Sequence, residues 1–265
     1  MTDHHVLVEF QGPVAIVTLN RPQVRNAIDV PTGDALLDAL LEVEYRSDIR
    51  AVVLAGAGGA FSAGGDLRAI TSADPEHPGR ALKHLTVGLH AVITSLRRLP
   101  QPVIAAVQGN VGGAGWSLAL ACDLVVMGRS ATFRSAYTAV GLTPDGGLTH
   151  ALVRLLGQQR ATELFLTNRP MGAEEALATG LVNRVVDDAE VLPSAVAWAQ
   201  ELAQGPARAF ALVKSVVETA ASLPLEAQLE QERQAISAAA EDPDFAEGVA
   251  AFMAKRRPEF GKRRS

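Results

Sequence analysis

Residues 103–123, VIAAVQGNVGGAGWSLALACD, hold the densest chemical signal in the chain. An apolar strand runs into a glycine-rich turn, and the turn opens a helix. Such a turn leaves backbone N–H groups unpaired at the positive end of the helix. Those groups suit a phosphate, a carboxylate or an oxygen gaining negative charge. Three readings fit. Gly113-Ala114-Gly115 starts a dinucleotide fingerprint, with Leu118 where the third glycine belongs. Gly115-Trp116-Ser117-Leu118-Ala119 approximates a nucleophile elbow, for which the following acid and histidine would be Asp145 and His150 on one short segment. The third reading is an oxyanion hole without a serine nucleophile, which needs a second N–H donor from elsewhere. Phe61-Ser62-Ala63-Gly64-Gly65-Asp66-Leu67 offers one, again a glycine-rich turn between strand and helix. An ordinary turn with Asp66 capping the helix fits the same residues.

The elements that must hold these turns can be read from the pattern of apolar residues. Residues 6–10 and 14–19 are β-rich runs around Gln11-Gly12-Pro13 and predict an antiparallel hairpin. Residues 31–45 predict an amphipathic helix, and 51–54 a short apolar strand ending in a loop at 55–59. Residues 71–79 are polar, carry Pro75 and Pro78, and predict a mobile surface loop. A long helix over 80–99 stops at Pro100 and Pro102. Strands at 103–107 and 123–127 flank a helix at 116–122. Strands separated by helices predict an α/β fold with covered strands. From Pro193 onward the pattern is almost all helical, at 195–203, 206–219, 225–240 and 242–257. That shift divides the chain into a core over 1–195 and a helical region over 196–265.

Composition narrows the partners. Lys plus Arg is 24 and Asp plus Glu is 29, a net charge of −5 that argues against a general nucleic-acid binder. The tail runs Lys255-Arg256-Arg257 and Lys262-Arg263-Arg264 are a local exception. The single cysteine, Cys122, excludes an intrachain disulfide, and no Cys/His spacing matches a metal site. His84 and His90 on the long helix read as surface or pocket-edge residues. No apolar stretch approaches the roughly 18 residues of a membrane span. The N-terminus has no secretory pattern. The expectation is a cytoplasmic protein without a membrane partner.

Taken together, the two glycine-rich segments resemble the enoyl-CoA hydratase/isomerase (crotonase) superfamily. The likeness covers nearly the whole chain. Val17-Thr18-Leu19-Asn20-Arg21-Pro22, then Asn26-Ala27, fits its opening. Residues 61–67 and 109–123 fit its two oxyanion turns, and Gly141-Leu142-Thr143-Pro144-Asp145-Gly146-Gly147 the following loop. Residues 173–185 and the tail from Phe252 to Pro258 complete the order. The resemblance implies a spiral of ββα units with a helical C-terminal trimerisation region, trimers or hexamers, and acyl-CoA thioester substrates. It implies no metal and no permanently bound cofactor, with coenzyme A arriving as part of the substrate. By motif position the oxyanion donors are the N–H groups of Ala63 and Ala114; losing one such donor elsewhere costs about 2.7–4 kcal/mol. Coenzyme A is expected along Arg25, the turn of Ala63, Gly64, Gly65, Asp66 and Leu67, and Lys255 with Arg256 beside it.

The sequence departs from the hydratase pattern at two positions. Hydratase-type members flank the substrate with two glutamates, and here those positions hold Ser117 and Tyr137. Neither hydroxyl takes a proton near neutral pH at its ordinary pKa. Asp145 sits in a Pro-Asp-Gly segment that also makes a good turn. Within the resemblance it matches the base of enoyl-CoA isomerases and of the ring-epoxide isomerase of phenylacetate breakdown. The expected activity is therefore a double-bond shift, with Asp145 as acid/base and Trp116, Ser117, Tyr137 and Leu142 around the acyl group. Enoyl-CoA hydration and a catalytically silent acyl-CoA-binding oligomer are the alternatives.

Overall fold

The computed structural model describes residues 4–261, so Lys262, Arg263 and Arg264 lie outside the described residues. Val6–Gln11 (β1) and Val14–Leu19 (β2) pair antiparallel across a turn in which Gly12 adopts φ 59°. In β1 the side chains alternate between half-buried and exposed, as an edge strand requires. After Val30–Tyr45 (α1) comes Ala51–Gly56 (β3), which runs to Gly56 and so overrides the loop expected from residue 55.

Leu67–Ala73 (α2) and Pro78–Arg98 (α3) replace most of the loop expected at 71–79. Only 74–77 remains irregular. Pro78 read as a breaker, but it occupies the first turn of α3, where its missing N–H costs nothing. Val103–Val107 (β4), Asn110–Gly112 (β5), Ala114–Ala121 (α4), Leu124–Gly128 (β6) and Thr132–Arg134 (β7) follow. Then come Leu148–Leu156 (α5), Gln158–Thr167 (α6), Met171–Gly172 (β8), Ala173–Ala178 (α7) and Arg184–Val186 (β9). Val191–Leu202 (α8), Ala207–Ala220 (α9), Leu225–Ala240 (α10) and Pro243–Met253 (α11) end the described chain.

The main sheet has the order β1-β2-β3-β4-β6-β9 and is parallel from β2 onward; β5, β7 and β8 form a second sheet. Central strands of a parallel sheet must be covered on both faces, which is why β2, β3 and β4 are nearly continuous apolar runs. One set of their side chains, Val17, Leu19, Val52 and Leu54 among them, packs in the large core with α1 and α3. The other set, Ile16, Val53, Ile104 and Val126 among them, packs on Val191, Ala195, Ala199 and Ala203 of α8 and its end. The division expected at 195/196 therefore falls inside a helix that belongs to the sheet. Helices that leave the sheet begin at α9.

Helix α4 is buried at every position, so it carries no polar face to orient it. It starts at Ala114, two residues before the expected boundary at 116. That start puts the Ala114 N–H at the helix end, directly after Gly113. No described helix is long and apolar enough to cross a membrane.

Candidate active site

The two glycine-rich turns meet at one cavity. The first turn is fixed from below by Phe61, which is fully buried, and by Asn26. Asn26 is itself fully buried, accepts from the Arg21 N–H, and donates to the carbonyls of Ala57 and Ala60. Ser62 Oγ donates to the Asn26 carbonyl at 2.8 Å and accepts from the Gly64 N–H. A β-carbon on Gly64 would lie 2.7 Å from the Gly112 carbonyl oxygen and 3.2 Å from the Ala114 nitrogen, and Gly64 has φ 95°. Only glycine lets the two turns come this close.

Which amides remain free corrects the assignment of the first donor. The Ala63 N–H is spent on the Arg25 carbonyl at 2.9 Å. Ile28 bridges Gly65 in parallel, donating to the Gly64 carbonyl and accepting from the Asp66 N–H, each at 2.8 Å. That bridge leaves the Gly65 N–H facing away from Ile28, with no hydrogen-bond partner among the described residues. Gly65 thus replaces Ala63 as the available donor in this turn. The Ala114 N–H, at the start of α4, is also unpaired; Gly113 on its N-terminal side donates to the Arg134 carbonyl. Both Gly65 and Ala114 line a cavity of about 230 Å³.

Its wall is apolar, built by Ile28, Ile70, Leu82, Leu85, Leu89 and Leu142, with Leu67 at 44% exposure on its rim. Asp145 also lines it and is half-buried. Tyr137 Oη donates to Asp145 Oδ1 at 2.6 Å. Burial first, and then the Asp145 charge, push the Tyr137 phenol well above its ordinary range, so it stays protonated and can donate. The backbone turns Tyr137 inward at Ala136, which has φ 63° and whose N–H is held by Asn168 Oδ1 at 2.6 Å. Ser117 Oγ donates to the Asp145 main-chain carbonyl at 3.1 Å. On the other side His90 Nε2 accepts from the Gly146 N–H at 3.4 Å.

Other expected site residues fall elsewhere. Trp116 is fully buried and stacks on Phe133, with ring centroids 5.0 Å apart and planes at 4°, so it supports the core and does not line the cavity. Ser117 is 3% exposed and sits beneath the Asp145 loop instead of facing the cavity. Asp66 caps α2 through the Ala69 N–H and pairs with Arg21 at 3.1 Å. Gly64 serves the close approach of the turns. Arg25 contributes its carbonyl to Ala63; its side chain does not line the cavity. Lys255 follows α11 and does not line it either. His150 bonds Arg154 at 2.8 Å on the exposed face of helix α5. Sequence reasoning missed the roles of Asn26, Ala136 with Asn168, and Gly65, because each depends on a contact distant along the chain.

The family model for enoyl-CoA hydratase/isomerase matches residues 9–263. The chain belongs to the enoyl-CoA hydratase/isomerase family. It is 36% identical to 4-chlorobenzoyl coenzyme A dehalogenase-2 of an Arthrobacter species, over 96% of this chain and 92% of that protein. It is 37% identical to 1,2-epoxyphenylacetyl-CoA isomerase of Escherichia coli (strain K12), over 96% of this chain and 97% of that one. Its fold superposes on the crystal structure of an enoyl-CoA hydratase from Polaromonas sp. JS666 with a TM-score of 0.92 and 37% identity, covering 96% of this chain and 98% of that chain. The protein is therefore an enzyme of the enoyl-CoA hydratase/isomerase family with a crotonase fold. In this member of the family Asp145 is the only carboxylate among the described residues that line the cavity.

Proposed function

We propose that this enzyme shifts a carbon–carbon double bond in an acyl-CoA thioester, from the 3-enoyl to the 2-enoyl position or in a related ring isomerisation. The observation that carries the reading is the lone carboxylate: Asp145 shares the cavity with two unpaired backbone amides and an apolar wall. A thioester bound with its carbonyl oxygen at the Gly65 and Ala114 N–H groups becomes acidic at C2. Asp145 takes the C2 proton, the charge moves onto the carbonyl oxygen, and the two amides stabilise it. Asp145 then returns the proton at C4, and the double bond ends between C2 and C3. One base serves both ends, so no activated water is needed. Ile70, Leu82, Leu85 and Leu89 keep bulk water from the dienolate.

The coenzyme A portion leaves past the rim at Leu67. Lys255 does not line the cavity of its own chain; in this reading it meets coenzyme A bound to a neighbouring subunit. Exposed Val217, Leu225, Ile236 and Phe252 on α9, α10 and α11 supply an apolar surface for such self-association into trimers or hexamers. Light scattering coupled to gel filtration checks this: a trimer or hexamer mass is expected, and a monomer overturns it.

The deciding experiment is a panel of 2-enoyl and 3-enoyl CoA thioesters incubated in heavy water and read by mass spectrometry. Double-bond movement with deuterium at C2 or C4 is the expected result. Formation of 3-hydroxyacyl-CoA would make the enzyme a hydratase, and binding without exchange would make it a silent binder.

The lone carboxylate favours a second reading. Asp145 lines the cavity with the two unpaired amides, so it can attack an aromatic ring polarised by them; chloride leaves, and water then cleaves the aryl ester and returns the carboxylate. A relative named 4-chlorobenzoyl coenzyme A dehalogenase-2 motivates this reading. Chloride release from 4-chlorobenzoyl-CoA distinguishes it from isomerisation.

A further inference from the structure

We propose that Ser117 and Tyr137 are positioning residues: together they fix the Asp145 carboxylate so that Oδ1 is occupied and Oδ2 is presented to the substrate. The kinetic part of this inference rests on the isomerase reading; the structural part does not.

The loop that carries Asp145 needs external support. Gly141, Gly146 and Gly147 all have positive φ, at 73°, 59° and 76°, so its own backbone is permissive. Two buried side chains supply the support from different elements. Tyr137 is 9% exposed and bonds Oδ1 at 2.6 Å. Ser117 is 3% exposed, lies on α4, and bonds the main-chain carbonyl of the same residue at 3.1 Å. The loop rests directly on Ser117: a β-carbon on Gly146 would lie 2.8 Å from Ser117 Cβ and 2.9 Å from its Oγ. Ser117 also stands one helical turn after Ala114. The rigid start of α4 therefore carries both a free amide and the strut beneath the base, so the carbonyl site and the carboxylate keep a fixed separation.

The two bonds act differently. The phenol touches the carboxylate itself and fixes its rotation. The serine touches only the main chain and so fixes the place of the residue. These roles give separate signatures in Tyr137→Phe and Ser117→Ala, both of which remove one oxygen without adding bulk. For Tyr137→Phe kcat falls about tenfold because the carboxylate is free to rotate, and the absorbance signal of the Tyr137 phenol is lost. For Ser117→Ala kcat falls about tenfold from misplacement of the base, with KM little changed and the phenol still on the carboxylate.

A measurement independent of turnover completes the test. The absorbance of ionised phenol is followed with pH; Tyr45 is 86% exposed and Tyr137 buried, so the two phenols separate. The Tyr137 phenol ionises at lower pH in Asp145→Asn than in the natural protein, because the carboxylate charge that opposes its ionisation is gone. Superimposable phenol titrations of the natural protein and Asp145→Asn would overturn the proposal, as would full kcat in Ser117→Ala or in Tyr137→Phe. If Asp145→Asn keeps full isomerase activity, the isomerase reading falls, while the phenol titration still decides whether Tyr137 holds Asp145.

Discussion

Tyr137 Oη and Asp145 Oδ1 stand 2.6 Å apart, and Tyr137 supplies the only side-chain hydrogen bond to that carboxylate among the described residues. The tyrosine is buried and the aspartate half-buried at the cavity wall. A phenol in such a place serves as a fixed donor and leaves the second carboxylate oxygen for the reaction.

Replacing Asp145 by Asn keeps the shape and removes the proton acceptor. The expected loss in kcat is about 10²–10⁴-fold, the usual share of a positioned acid or base. Exchange of the C2 proton in heavy water should fall in parallel, while the circular dichroism spectrum stays that of the natural protein. Retained exchange would shift the base to another group.

Ala114 allows a clean removal of one amide. It is the first residue of α4, where proline is tolerated, and the preceding Gly113 imposes no side-chain clash. Ala114→Pro is expected to lower kcat about 10²–10³-fold with little change in melting temperature. Wild-type turnover in this variant would remove the Ala114 N–H from the mechanism.

Gly64→Ala tests the contact between the turns. Its new β-carbon meets the Gly112 carbonyl, and its φ of 95° is unfavourable for alanine. A loss of about 1–3 kcal/mol in a urea titration is expected, together with weakened activity, since both turns must shift apart. Unchanged stability would mean that the turns separate without cost.

Alkaline pH gives a signature for Tyr137. Its folded phenol is held above the ordinary value by burial and by the Asp145 charge. The proton is therefore bound more tightly in the folded state than in the unfolded chain. This contribution to stability is fully present below the unfolded value of about 10 and is lost as pH rises beyond it. Between about pH 9 and 11 the melting temperature of the natural protein should fall more steeply than that of Tyr137→Phe. Parallel curves would contradict the buried, protonated phenol.

Much of this architecture was legible in the residues because burial leaves a plain mark. Val103–Val107 and its neighbouring strands are apolar throughout since both sheet faces are covered. Asp145 and Tyr137 were singled out by their positions in the family resemblance, and both stand on the cavity wall, bonded to each other. The choice between Ala63 and Gly65 was not legible. Four consecutive amides look alike in sequence, and only the bridge from Ile28 decides which one is left over. Nor could Trp116 and Ser117 be oriented, because α4 is buried on every side and its pattern has no direction. Pro78 misled for a related reason: proline ends a helix or begins one, and its sequence neighbours did not say which.

The bonds from Arg25 and Ile28 to the first turn carry a consequence for assembly. Synthesis delivers residues 21–28 to the folding chain well before the turn at 61–66 that they brace. The mouth of the cavity cannot take shape until the two are brought together, so it ripens with the sheet and not ahead of it. A protease cut within 21–28 would spare almost every residue on the cavity wall, yet it would erase the place where a thioester could settle.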